Sequence, residues 1–189
     1  ELHQIRGDLS RAEECYQKSL HEREKSRDRE GMVSSLAALA SVYQLSGAAN
    51  RVHSCLERAR HHLQDGGDEI GAARMSCRLA DFFFLEGRPQ EAVDHYEKSL
   101  PALEEGDPSL AARARGRLGQ CFLDLGDPDR ARDHLEGASL AMQSQGDLCS
   151  AADLLTLLAG NYRNQGRLEE ALERSRQCLE IREQQNDPA

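Results

Sequence analysis

The chain of 189 residues contains no tryptophan and only 4% aromatic residues. Large aromatic side chains dominate many protein interiors, so smaller residues must fill the core of this one. Proline is also scarce, with five residues in the whole chain. Alanine, leucine, glutamate, arginine and glutamine are plentiful instead, and these residues favour helices. The composition therefore predicts an all-α protein.

Long apolar runs and excess positive charge are absent as well. The longest runs, such as Phe82 to Leu85, are far too short to cross a bilayer. The formal net charge of −9 argues against a nucleic-acid interface and against attachment to anionic lipid. We therefore expect neither nucleic acid nor a membrane among the partners.

The six cysteines show no Cys-x-x-Cys spacing. Secreted disulfide scaffolds are short and rich in loops, whereas these cysteines lie mostly in segments with helical composition. We expect reduced, buried thiols and a cytoplasmic location.

Catalytic signatures are also absent from the sequence. We find no phosphate-binding loop of the Gly-x-x-x-x-Gly-Lys-Ser/Thr type, no Gly-x-Ser-x-Gly elbow and no His-Glu-x-x-His motif. The Gly-Asp-Pro triplets at 106–108 and 126–128 are interpreted as turn and cap chemistry, because phosphate loops follow a strand. We expect a protein that is not an enzyme and that needs no cofactor.

One phrase recurs along the chain. Residues 7–20 read GDLSRAEECYQKSL, and residues 87–100 read GRPQEAVDHYEKSL. The glycine that opens the phrase recurs every 39 or 40 residues, at Gly7, Gly47, Gly87, Gly126 and Gly166. Five residues after each glycine stands a small side chain, and nine after it stands Tyr or Leu in four copies, with Ser175 as the exception. Four residues before the last four glycines stands an aromatic residue, namely Tyr43, Phe83, Phe122 and Tyr162.

A second series marks the other junction of each repeat. Aspartate, a good N-cap, recurs at Asp28, Asp68, Asp107, Asp147 and Asp187. Each unit is therefore predicted as an Asp cap, helix A, a Gly turn and helix B. We expect nine helices, the first being a helix B at about residues 8–25, with every repeating glycine in a turn. Pro101 predicts a kink or an early end of its helix, and the junction before Asp107 is predicted to be the shortest.

This arrangement resembles the tetratricopeptide repeat (TPR), and the resemblance covers essentially the whole chain. It implies a right-handed α-solenoid of helix-turn-helix repeats. The usual repeat has about 34 residues, so these longer repeats are similar to those of Pins-type spindle-orientation adaptors and kinesin light chains. We expect one array, a fragment of a longer one, with a partial repeat 1–27 and repeats 28–67, 68–106, 107–146 and 147–187.

The resemblance implies that A helices line a concave surface. The predicted A segments hold six arginines and four acids, a net charge of +2, whereas the rest of the chain carries −11. An acidic partner is therefore expected on that surface. Arg113 and Arg117 match one half of the carboxylate clamp of chaperone adaptors, but Ala37, Ser41 and Arg78 depart from the other half. The alternative is that these arginines solvate the surface or pair with nearby acids such as Asp81.

The residues predicted to bind a partner lie at these A-helix positions. They are Arg74, Arg78, Asp81, Phe84, Arg113, Arg117, Gln120, Arg163 and Asn164. Phe84 is interpreted as an exposed apolar anchor, or else as a side chain buried beneath an adjacent turn.

A column of possible metal ligands lies eight residues after the glycines, at Cys15, Cys55, His95, His134 and Arg174. Equivalent positions in stacked helices are about 8 to 10 Å apart, whereas zinc needs its ligands about 2 Å from one point. We expect packing residues and no metal site.

The sequence therefore favours a protein-interaction module or scaffold that binds a peptide or protein segment in a TPR groove. Two alternatives stay open. The array can be a structural spacer that associates end to end with other copies, or the sensor arm of a larger signalling protein.

Overall fold

The computed structural model describes residues 2–186, which form nine α-helices and no strand. The helices are α1 (Leu2–Ser26), α2 (Arg29–Ser46), α3 (Ala49–Asp65), α4 (Glu69–Leu85), α5 (Pro89–Gly106), α6 (Pro108–Asp124), α7 (Pro128–Ser144), α8 (Leu148–Asn164) and α9 (Leu168–Asn186). The all-α class and the number of helices are thus confirmed for this range. We call α2, α4, α6 and α8 the A helices and the others the B helices.

The chain divides into two compact units. Unit 1 ends at Phe82 and unit 2 begins at Phe83, inside α4. Because this division falls within a helix, it does not test the repeat boundaries assigned from the sequence, and those boundaries remain a proposal. No helix in the described part of the chain combines the length and the hydrophobicity that a bilayer span requires.

Every A helix ends in the same turn around a repeating glycine. Gly47, Gly87, Gly126 and Gly166 all have φ between 71° and 76°, a conformation that a side chain would strain. The N–H of the following residue donates to the carbonyl oxygen of the aromatic residue four positions before the glycine, as Asp127 does to Phe122 at 2.8 Å. This is a Schellman turn, and it explains the fixed spacing between aromatic residue and glycine.

The prediction for Gly7 is wrong, because α1 runs unbroken through it from Leu2 to Ser26. Glycine permits a left-handed turn but does not impose one. Continuing α1 through Gly7 keeps the backbone hydrogen bonds of this segment within one helix.

The aspartates cap the A helices as predicted. Side-chain oxygens of Asp28 and Asp68 accept from the N–H groups of Gly31 at 2.9 Å and Gly71 at 2.8 Å. Asp107 and Asp147 make the same bond three residues ahead, to Leu110 and Ser150, both at 3.2 Å. Asp187 lies outside the described residues.

The junction between α5 and α6 consists of Asp107 alone and is the shortest junction in the described range, as predicted. The N–H of Asp107 donates to the carbonyl oxygen of Leu103 at 2.7 Å, and its carboxylate caps α6. Of the two outcomes predicted at Pro101, the early end is wrong, because α5 continues to Gly106, whereas the kink stays a prediction. Pro101 is exposed, so water can satisfy the carbonyl oxygen that the proline leaves unpaired.

Within each helix pair, small side chains let the helices approach closely. In unit 2, a Cβ atom added at Gly119 of α6 would lie 2.7 Å from Cγ of Leu135 of α7. Leu135 is fully buried, as is Leu56 at the equivalent position of unit 1, and Ala131 and Ala92 are also at 0% exposure. Because aromatic residues are few, alternating small and large aliphatic side chains fill most of the core.

All six cysteines are free thiols. Cys55, Cys77, Cys121 and Cys178 are buried, as expected, but Cys15 and Cys149 are exposed. These two thiols lie on solvent-facing positions of α1 and α8, so the expectation of burial does not hold for them.

Candidate functional site

In unit 2, an arginine of α6 stacks on a phenylalanine of α4. The guanidinium carbon of Arg117 lies 5.3 Å from the centroid of the Phe84 ring. One of its terminal nitrogens donates to Oε1 of Gln120 at 3.1 Å. Stacking and this hydrogen bond hold the planar cation in place, so its remaining N–H groups can meet a carboxylate with little further loss of side-chain freedom.

Arg113 lies one helical turn before Arg117, on the same face of α6. Both side chains are exposed. No ion pair within the described part of the chain involves either of them. Other arginines of unit 2 do pair with acids, for example Arg88 with Glu91 at 2.5 Å. The alternative of pairing with nearby acids therefore does not describe Arg113 and Arg117.

Phe84 matches neither of its two predicted states. The side chain is half-buried, and the guanidinium of Arg117 covers one face of its ring. We therefore treat Phe84, Arg117 and Gln120, together with Arg113, as one cluster, which we call the α6 arginine face.

Arg78 of unit 1 has a different environment. Its guanidinium donates to the carbonyl oxygen of Ala37 at 3.3 Å and to Oγ of Ser41 at 3.1 Å, both on α2. Burial lowers the pKa of Arg78, and the charge of Asp81 partly opposes this. Arg78 therefore links α4 to α2. It does so at Ala37 and Ser41, the two α2 positions that depart from the carboxylate clamp of chaperone adaptors.

The remaining predicted residues are spread over both units. Arg74, one turn before Arg78 on α4, is exposed, and Asp81 is half-buried. Arg163 and Asn164 are exposed in the last turn of α8. Within unit 2, no hydrogen bond or ion pair among the described residues joins Arg163 or Asn164 to Arg113 or Arg117.

Sequence reasoning missed a second set of arginines, each stacked on a core aromatic residue. The guanidinium carbons of Arg51, Arg88, Arg130 and Arg167 lie 5.1, 4.6, 4.2 and 4.6 Å from the ring centroids of Tyr43, Phe83, Phe122 and Tyr162. The signal was present, because each arginine stands one or four residues after a repeating glycine. In each contact the arginine side chain covers the aromatic ring and shields it from water.

Two histidines stand eight residues after repeating glycines, in the column of possible metal ligands. Each packs against one of these aromatic rings. His95 stacks on Phe83 and His134 on Phe122, each with ring centroids 5.3 Å apart. Burial first, and the charge of Arg115 second, lower the pKa of His134. Within the described residues, no three His, Cys, Asp or Glu side chains are close enough to share a metal ion.

Comparison with known proteins places this geometry in a family. Models of the tetratricopeptide repeat match residues 71–144 and 151–184, together more than half of the chain. The chain belongs to the tetratricopeptide repeat family. A search of curated proteins gave no significant match.

Several solved structures share the fold. BtubC (BKLC) from P. vanneervenii superposes with a TM-score of 0.86 at 23% identity, covering 100% of this chain and 78% of that protein. A putative kinesin light chain from Podosopora anserina gives 0.76 at 19% identity, over 98% and 92% of the two chains. A signal transduction ATPase from Pyrococcus horikoshii with a tetratricopeptide repeat sensor gives 0.85 at 16% identity, over 96% of this chain and 28% of that one. The fold is that of TPR solenoid proteins, a scaffold suited to protein interaction.

Proposed function

We propose that the chain is a protein-interaction module that binds an acidic peptide or protein segment on the A helices, with the α6 arginine face as its main contact in unit 2. The observation that carries this proposal is the position of Arg117, which is exposed, stacked on Phe84 and without an acidic partner in the described range. A preorganised guanidinium is suited to bidentate binding of a carboxylate.

The charge distribution supports an acidic partner. The protein is acidic as a whole, with a net charge of −9, whereas Arg113 and Arg117 place two positive charges one helical turn apart, without an acidic partner in the described range. Like charges four residues apart on a helix cost a few tenths of a kcal/mol, and a bound carboxylate would remove that repulsion. Phe84, half-buried beside them, supplies an apolar anchor for the same segment.

In unit 1 we propose Arg74 and Asp81 as separate contact residues, whereas Arg78 mainly links α4 to α2. Arg163 and Asn164 extend the proposed surface onto α8. The role we propose is binding without catalysis. We place it in the cytoplasm, because six free thiols are typical of a reducing compartment.

The test begins by identifying an acidic binding segment on an array of synthetic acidic peptides and measuring its affinity by fluorescence anisotropy. Replacing Arg113→Glu and Arg117→Glu together should weaken binding by about tenfold or more and slow association. Phe84→Ala should cost about 2 kcal/mol, mainly through faster dissociation. Raising the salt concentration from about 50 to 200 mM should weaken binding to the parent chain, because exposed charges are screened.

A matched control changes the same charge elsewhere. Lys98→Glu with Arg176→Glu reverses two exposed cations on the B helices α5 and α9, and it should leave the affinity within about twofold. If this control abolishes binding while the α6 reversal has no effect, the partner binds the B helices and the proposed surface is wrong.

A further inference from the structure

A groove of about 540 Å³ runs between the B helices α7 and α9 of unit 2, with α8 beneath it. We call it the α7–α9 groove. Its floor is apolar, because Leu155 and Leu158 of α8 are buried at 3% and 1% exposure. Its walls carry polar side chains, which are Glu136 and Gln143 of α7 and Arg174, Gln177, Glu180 and Gln184 of α9. A groove of this volume is large enough to hold side chains of another molecule.

The equivalent groove one repeat earlier, between α5 and α7, is filled from within the chain. Arg115 of α6 crosses it and forms an ion pair with Glu104 of α5. On the α7 side, Nη1 and Cδ of Arg115 lie 3.1 and 3.3 Å from a Cβ atom added at Gly137. A guanidinium group therefore lies between two B helices of this protein, with its aliphatic stem beside the backbone of one of them.

The next repeat lacks this filling side chain. Counted from the repeating glycines, the residues equivalent to Arg115, Glu104 and Gly137 are Leu155, Gln143 and Gln177. Leu155 is shorter than arginine and carries no charge, so it forms the floor of the groove and does not cross it. The filling residue belongs to the A helix between the two B helices. Here that helix is α8, which the structure describes in full, so the opening does not depend on any further helix of the array.

Hydrogen-bond acceptors in the α7–α9 groove are left for a ligand. Gln143 donates a side-chain N–H to Oγ of Ser139 at 3.1 Å, and its Oε1 accepts from no donor in the described range. The exposed carboxylate of Glu180 likewise has no hydrogen bond or ion pair among the described residues. Arg174 is balanced by its ion pair with Glu136 at 3.1 Å. The groove therefore has one carboxylate in excess and suits a cation.

We propose that the α7–α9 groove binds an arginine side chain of a basic partner segment. The guanidinium donates to the carboxylate of Glu180 and to Oε1 of Gln143, and the methylene groups pack on the leucine floor. Leu140, which lines the groove and is 67% exposed, packs against an apolar residue next to the arginine. The partner thus supplies the group that Arg115 supplies in the preceding groove.

This site differs from the α6 arginine face in location and in charge. It lies between B helices and binds a cation, whereas the α6 arginine face lies on an A helix and is proposed to bind an anion. Arg113 and Arg117 would repel a basic segment. The two proposals are therefore tested with different peptides and can fail separately.

The probe is the synthetic peptide acetyl-Ala-Leu-Arg-Leu-Ala-amide, titrated into the isotope-labelled chain. The side-chain amide signals of Gln143, Gln177 and Gln184 in two-dimensional NMR spectra report on the groove directly. They should shift and saturate with a Kd of about 1 mM or lower. The same peptide with citrulline in place of arginine keeps the shape but not the charge, so it should bind about tenfold more weakly or less tightly still.

Two variants on α9 form a matched pair. Glu180→Gln removes the carboxylate of the groove and should weaken binding by about fivefold or more, because hydrogen bonds to charged groups are the stronger ones. Glu183→Gln removes the same charge from an exposed position that does not line the groove, so it should leave the affinity within about twofold.

A third variant rebuilds the filled groove. Leu155→Arg with Gln143→Glu restores the pair that Arg115 and Glu104 form, and it should abolish the peptide-induced shifts of Gln177 and Gln184. Circular dichroism checks that this variant folds, and the Glu180 and Glu183 pair tests the proposal where it does not. No saturation up to about 10 mM peptide, equal binding of the citrulline peptide, or equal effects of Glu180→Gln and Glu183→Gln would refute the proposal.

Discussion

The helix pairs α6–α7 and α8–α9 share one register, forty residues apart, yet one is closed and the other is open. Leu135 is fully buried against Gly119, whereas its equivalent Ser175 is exposed and lines an open groove between α8 and α9. The backbone turns are the same in both pairs, with φ of 75° at Gly126 and 76° at Gly166. The two pairs therefore share their backbone geometry but differ in the size of the side chain at this position, and α8 also packs on the first pair, where Leu154 lies beside Gly116.

The same two pairs differ at the position eight residues after the glycine. His134 stacks on Phe122. Arg174, its equivalent, donates to Glu136 at 3.1 Å and to Gln177 at 3.0 Å, and the hydroxyl of Tyr162 donates to the same Glu136 oxygen at 2.8 Å. One pair uses ring stacking where the other uses a polar network, so they should respond differently to pH.

The largest effect on stability is expected from truncating Leu135, whose side chain fills the space above Gly119 in the α6–α7 pair. Leu135→Ala should reduce the free energy of unfolding by about 2 to 5 kcal/mol, because it leaves a cavity above Gly119. Ser175→Ala should change it by about 0.5 kcal/mol or less, since that side chain is exposed. Urea denaturation followed by circular dichroism measures both. Similar losses of unfolding free energy for the two variants would show that Ser175 is packed as tightly as Leu135.

An intermediate effect is expected from adding a methyl group to each A helix. In Gly119→Ala the new Cβ would lie 2.7 Å from Leu135 Cγ and 3.2 Å from the carbonyl oxygen of Ala131, so overpacking should cost about 1 to 3 kcal/mol.

The second substitution lies in α8, at the residue after Ala159, the equivalent of Gly119. A Cβ atom at Gly160 meets nothing within 4 Å, so Gly160→Ala should stabilise α8 by about 0.5 to 1 kcal/mol through helix propensity. Thermal midpoints that move in opposite directions would confirm the contrast, and a loss of stability at Gly160 would contradict it.

The smallest effect concerns pH. Burial and Arg115 lower the pKa of His134 below its ordinary value of 6.5, while Glu97 and Asp133 oppose this and Arg130 adds to it. The unfolded chain therefore binds the proton first, so stability should be constant above about pH 6.5 and decrease as the pH falls through the lower pKa of the folded state.

The measurement compares thermal midpoints at about pH 7.5 and pH 5 in the parent chain and in His134→Gln, which cannot titrate there. The parent should lose more stability on acidification than the variant. Equal losses would mean that His134 does not contribute to the pH dependence.

Much of the fold followed from local chemistry. The repeating glycines, aspartate caps and aromatic residues predicted nine helices and the short junction at Asp107, because turns and caps depend on a few adjacent residues. The turn at Gly7 and the early end at Pro101 were predicted wrongly for the same reason. Each permits or disfavours a conformation locally, but the cost of the competing conformation depends on the neighbouring chain and on solvent.

The candidate site was only partly predictable. Exposed arginines on α6 could be predicted from the helical period, but the same reasoning grouped them with Arg78. The structure gives Arg78 and Arg117 different contacts. Arg78 donates hydrogen bonds to Ala37 and Ser41 of α2, whereas Arg117 stacks on Phe84. Which side chain an arginine meets across a helix boundary depends on distances between helices, and these distances are not part of a repeat pattern.

The sequence by itself determined the helical repeat of this protein, its register and the ends of its A helices, because these depend on backbone conformations that single residues favour. Only the tertiary structure decided which arginines are tied to their own chain and which are exposed without an acidic partner in the described range. Those outcomes depend on packing between helices, where a difference of a few ångströms decides whether a side chain meets its own protein or solvent.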